Sequence, residues 1–153
     1  MTGLSAARLQ PALRQAVELH LLTPEQVAGR YRFRHALLAE AVYATLLPGE
    51  REAAHARLAQ ALYDDPDPAA ERVSAGELAA HWAAAGQPAK ALVASLHAAE
   101  DAEGRSGLAE ALAHLERALE LWPVVPGAAD LAGTELASVL FRAAELAHFT
   151  GSG

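Results

Sequence analysis

Ser106-Gly-Leu-Ala-Glu-Ala-Leu-Ala-His-Leu-Glu-Arg-Ala-Leu-Glu-Leu-Trp-Pro123 is the stretch on which the fold turns. Small residues open it and Pro123 closes it. Between them Leu108, Ala111, Leu112, Leu115, Ala118, Leu119 and Trp122 recur at the spacing of one helix face. Upstream, Gly86-Gln-Pro-Ala-Lys-Ala-Leu92 matches Ser106-Gly-Leu-Ala-Glu-Ala-Leu112 position for position in residue type. A repeated small-residue turn followed by a repeated Ala-Leu pair predicts helical hairpins that bury their apolar faces against their neighbours.

Toward the C-terminus, Pro123 and Pro126 interrupt the pattern. A last helix then runs through Leu136, Val139, Leu140, Ala143 and Leu146 to about Phe149. Thr150-Gly151 would begin the next turn, so the array is expected to be cut short. That leaves an apolar face near Leu136–Phe149 on which a second copy could form a homodimer. Toward the N-terminus, Ala91, Leu92, Ser95, Ala98, Ala99 and Ala102 line one helix, and Leu78, Trp82 and Ala85 line the one before it. Ser74-Ala-Gly-Glu77 has the capping-box form that starts it. The hairpins thus occupy residues 74–153. Asp64-Asp-Pro-Asp-Pro68 opens a linker over 64–73; its prolines and the missing EF-hand spacing favour a solvated loop over a calcium site. The helix before it is opened by Glu50 and Glu52, with Ala54, Leu58, Ala61 and Leu62 as its predicted buried stripe.

The front of the chain is of another kind. Leu9, Leu13, Ala16, Val17, His20 and Leu21 fall at helical spacing, with Pro11 in the first turn, and Thr23-Pro24-Glu25-Gln26 follows as a cap or turn. In Tyr31-Arg-Phe-Arg-His35-Ala-Leu-Leu-Ala-Glu40-Ala-Val-Tyr43 the period changes within thirteen residues. Tyr31 and Phe33 alternate with Arg30, Arg32 and Arg34, which predicts a half-buried strand. From His35 onward Leu38, Val42 and Leu46 fall four apart, which predicts a helix ended by Leu47-Pro48-Gly49. Helix, strand, helix over residues 1–63 suggests the C-terminal part of a winged-helix element with a connecting helix.

Composition agrees with a mainly α chain. Hydrophobic residues make up 52% of it, much of that alanine, and only 5% are aromatic. A formal charge of −7 argues against direct nucleic-acid binding, because phosphate neutralisation supplies most of that affinity. Cysteine is absent, which excludes disulfides and thiolate metal sites. No apolar run reaches the ~20 residues of a membrane span, so a cytoplasmic protein is expected.

Ser106 to Pro123 resembles the second half of a tetratricopeptide repeat, with Ala111-Leu112, Ala118-Leu119-Glu120-Leu121 and Pro123 where that consensus has them. Leu115 and His114 stand where aromatics are usual, so the repeats are degenerate. The front half is similar to one junction in large bacterial regulators. The residues that carry this are Tyr31 to Tyr43, then Leu46-Leu-Pro-Gly-Glu-Arg51, then His55-Ala-Arg-Leu-Ala59. The regulators are STAND-class signal-transduction ATPases, among them the large ATP-binding LuxR-type transcriptional regulators and ATPase-linked cyclases. The junction joins the winged-helix part of the ATPase core to the helical-repeat sensor. The resemblance implies that His35, preceded by Arg34, contacts the β-phosphate of ADP held by a neighbouring nucleotide-binding domain. Ala36 stands where related ATPases often have an acidic residue.

The chain lacks a G-x-x-x-x-G-K-[ST] loop, its only lysine being Lys90, and lacks a Walker B strand. No catalysis and no cofactor is expected of it alone; ATP or ADP would belong to the parent. An inducer or protein would bind the repeats, with Trp82, Trp122 and His81 as the candidate surface. For the two tryptophans themselves the favoured role is as core anchors between helices, with partner contact the alternative. His55, His81, His97, His114 and His148 form no i, i+4 pair, so no helical metal site is expected. A stand-alone helical adaptor binding a peptide or protein is the alternative function.

Overall fold

The structure, a computed structural model, describes residues 6–25, 31–64 and 75–151. The chain is mainly α and divides into two compact units between Leu47 and Pro48.

The first unit contains helix α1 (Ala6–Glu18), strands β1 (Leu22–Pro24) and β2 (Tyr31–Phe33), and helix α2 (Ala36–Thr45). Helix α1 starts earlier than its apolar spacing suggests, so Pro11 lies inside it rather than in its first turn. It also ends before His20, which leaves the apolar stripe and takes the left-handed conformation at φ 57°. The amides of His20 and Leu21 then close the helix end on the carbonyls of Val17 and Ala16, at 3.0 and 2.9 Å. Thr23-Pro24, expected as a cap or turn, is strand instead. Leu22, Thr23 and Pro24 pair antiparallel with Phe33, Arg32 and Tyr31. Proline is tolerated there because it lies at the end of a two-stranded ribbon. Tyr31 and Phe33 remain 39% and 38% exposed, not half-buried as their alternation suggests. Helix α2 buries none of its ten residues: Leu38 is half-buried, while Val42 and Leu37 are exposed, Leu37 at 76%.

The second unit is a succession of helices: α3 (Pro48–Asp64), α4 (Ala75–Ala84), α5 (Pro88–Gly104), α6 (Leu108–Leu121), α7 (Ala128–Ala132) and α8 (Leu136–Thr150). A single 3-10 turn, Trp122–Val124, follows α6. Each of α3, α4 and α5 packs on the helix that follows it, α8 packs on α6, and the short α7 rests on α5. Pro48 therefore opens α3 as well as stopping α2, where a first-turn proline costs no hydrogen bond. Helix α3 belongs with the array, so the compact division falls before it and not at the acidic-proline turn that follows. That turn beyond Asp64, the rest of the linker and Ser74 of the capping box lie outside the described residues.

The core is alanine and leucine at close helix spacing. Leu92, Leu96, Ala99 and Ala102 of α5 meet Ala111, Leu112, Leu115 and Ala118 of α6 and Val139, Ala143 and Leu146 of α8. A smaller cluster joins Ala59, Ala79, Trp82, Ala91 and Ala94 across α3, α4 and α5. Helix α3 turns inward a face that shares only Leu62 with its expected stripe. Ala59 is buried while Ala54, Leu58 and Ala61 are exposed, and the covered stripe is Arg51, His55, Ala59 and Leu62.

The repeated turns of the sequence are also repeated in geometry. Gly86 and Ser106 both sit in the left-handed region, at φ 66° and 61°. Gln87 and Gly107 send their amides back to the carbonyls of Trp82 and Ala102, at 3.0 and 2.8 Å. Gly86 and Ser106 bond Ala83 and Glu103 likewise. Both are Schellman closures, and the Ala-Leu pairs that follow, Ala91-Leu92 and Ala111-Leu112, are all buried. Gly151 ends α8 with a left-handed residue of the same kind, at φ 70°.

Candidate functional site

Two places gather the residues that the sequence singles out. The first is the strand–helix corner of the first unit. His35 occupies the N-cap of α2 in extended conformation (φ −129°, ψ 133°), and its side chain makes no capping hydrogen bond. Its carbonyl accepts from the Leu38 amide at 3.0 Å. His35, Arg32 and Arg34 are all exposed, and Arg30 lies outside the described residues. The period change at His35 has a plain cause. The ribbon ends where Arg34 donates its amide to Leu21 at 3.0 Å, and the apolar α2 sequence begins one residue after His35. An imidazole at a helix N-terminus, next to an arginine, can donate to an anion alongside first-turn N–H groups.

The second place is the α3–α4 junction of the second unit. His55 and His81 face one another with Nδ1 atoms 2.9 Å apart and ring centroids 5.1 Å apart, the planes tilted by 34°. Burial, and then the neighbouring His55, lower the His81 pKa from 6.5, while Glu77 one turn earlier pulls it up. Next to His81, Trp82 is only 3% exposed, and Lys90 Nζ lies 4.0 Å from the centroid of its ring. The indole is thus core under an ammonium lid, and the structure removes Trp82 from the candidate partner surface. Trp122 packs half-buried against the larger core cluster. His81 is half-buried and occupied by His55, so the three surface candidates do not come together as one patch.

His55 was not among the site residues expected from sequence. The available signal was its position four residues before Ala59, on a stripe that reads as solvated because Arg51 shares it.

A third feature is an open cleft of about 300 Å³ between α5, the end of α7 and α8, lined by His97, Glu100, Thr134 and Arg142 among others. Arg142 is engaged there by Glu103 at 2.8 Å and Glu100 at 3.9 Å. Among the described residues, no group of three or more His, Cys, Asp or Glu side chains is arranged to hold a metal ion. Among them, too, no helix is long and apolar enough to cross a membrane.

An uncharacterized protein of Rhizobium meliloti (strain 1021) is 36% identical over 106 residues, which is 68% of this chain. The chain spans about a tenth of that protein's length, the match being 10% of it. No family model matches the chain, and no solved structure matches it.

Proposed function

We propose that this chain is the junction and first sensor hairpins of a STAND-type signalling ATPase of the transcriptional-regulator kind. In this reading it couples nucleotide state in a neighbouring domain to ligand or partner binding on tetratricopeptide-like helices. The observation that carries the reading is the corner at His35: an exposed imidazole at a helix N-terminus, beside Arg34, heading a helix that buries none of its residues. An apolar helix left open in this way suits docking against a further domain. An exposed N-terminal histidine suits a phosphate held by that domain.

Two further observations support the reading. The division of the chain at Leu47 separates the His35 corner from the helical array, as a junction requires. The relative in Rhizobium meliloti also carries the similar segment inside a much larger polypeptide, since 106 residues are 10% of it. His35 and Arg34 would hold the ADP phosphate in the resting state, and an inducer on the array would shift the population away from it.

Coding DNA upstream of Met1 that continues in frame to a G-x-x-x-x-G-K-[ST] loop is the expected finding, and its absence overturns the proposal. In the parent polypeptide, His35→Ala should speed ADP release roughly ten- to a hundredfold, the loss of one charge-assisted hydrogen bond, and raise basal output. Unchanged release and output would remove the lock role. A stand-alone adaptor is the second reading, favoured by the exposed Leu140, Phe141 and Phe149 on α8. It predicts a start at Met1 and a stop after Gly153.

A further inference from the structure

The His55–His81 contact lies outside the nucleotide reading and joins the two helices at the start of the array. Among the elements described, α4 is the one on which α3 packs, and Ala59 is the one fully buried residue of α3. So little apolar burial makes a polar contact across this junction count. Among the described residues no third metal-ligating group joins the two imidazoles, and their Nδ1 atoms stand at hydrogen-bond distance, so the contact depends on where the protons sit.

We infer that His55 and His81 form a proton-operated latch: they tie α3 to α4 while at most one proton is added to the neutral pair, and the second added proton releases α3. The geometry dictates this sequence. At 2.9 Å between Nδ1 atoms, one ring must donate its Nδ1–H and the other must accept with its lone pair. The donor ring still has a basic Nε2. A first proton added there makes an imidazolium whose N–H···N bond is charge-assisted, and the contact survives. A second proton can go only to the accepting Nδ1. Two N–H groups and two positive charges then face each other across the same gap, and the rings must part.

The surroundings bias the second step. Glu77 on α4 favours charge on His81, while burial and the positive charge of a protonated His55 oppose it. Arg51 lies one turn before His55 on the covered stripe of α3. From α5, the residues that meet this cluster are Ala91 and Ala94, which carry no charge; Lys90 sits over Trp82. Folded His81 thus takes its proton less readily than it would in the unfolded chain. The stability contributed by the pair is fully present above pH 6.5, the ordinary histidine value, and is lost as the pH falls below it.

The test is an imidazole 15N titration of the full chain, with amide hydrogen exchange, from about pH 7.5 to about pH 5. His55 and His81 should titrate as a linked pair with His81 the lower, and His55→Gln should move the His81 midpoint upward. After correction for intrinsic exchange, α3 amides should lose protection by about tenfold for each pH unit below the second midpoint, while α5 amides keep theirs. His81→Gln should abolish that selective loss. Independent titrations that His55→Gln leaves unmoved, or α3 protection that does not change with pH, would overturn the latch.

Discussion

Ser95 is wholly buried between the two apolar clusters, and its hydroxyl has no hydrogen-bond partner. A buried hydroxyl without a partner carries its desolvation cost unrecovered, and serine is a poorer helix former than alanine. Ser95→Ala should therefore stabilise the protein by about 1 kcal/mol in urea denaturation; a loss of stability would mean that the hydroxyl finds a partner in solution. From sequence, Ser95 falls on the apolar stripe of its helix, and the structure agrees. The same spacing argument fails for Leu58, because helical period says which residues share a face and not which face the neighbouring helix covers. His35 was legible because the pattern changes period there. The partner of His81 was not, because nothing local links positions 55 and 81.

Turns are where sequence and element agree best. Gly86 and Ser106 take the same left-handed conformation at equivalent points, one with the residue suited to it and one without. A Cβ at Gly86 would meet nothing within 4 Å, so the cost of Gly86→Ala is that of the backbone alone, about 1 kcal/mol. The opposite change, Ser106→Gly, should gain up to about 1 kcal/mol by relieving the same conformation. Chemical denaturation of the two variants checks both signs; equal effects of one sign would show that the turns are not equivalent. Elements without a sharp local signal were harder to foresee. Strand β1 is three residues long and contains Pro24, and α7 is a five-residue turn of helix between Gly127 and Gly133. Both depend on pairing or packing partners elsewhere in the chain.

At the scale of the whole molecule, the two units differ in how much they bury. The second contains both apolar clusters, whereas in the first α2 buries no residue, β2 is exposed and β1 is at most half-buried. Hydrogen exchange should therefore find the α5 and α6 amides protected close to the global unfolding free energy, and the α2 amides exchanging far faster. Equal protection in both units would show that α2 is covered in solution. Under the proposed function, adding the parent's nucleotide-binding domain should slow α2 exchange selectively.

Composition and local pattern by themselves determined a mainly α chain, the helix-closing turns at Gly86 and Ser106, and the change of period at His35. These depend on backbone conformation and near neighbours, which a linear pattern records. Only the tertiary structure decided that α3 belongs with the array, that Trp82 is core, that α3 turns Arg51, His55 and Ala59 inward, and that His55 meets His81. Each of these depends on which helix packs against which face, and that is a contest among non-local contacts that no single segment contains.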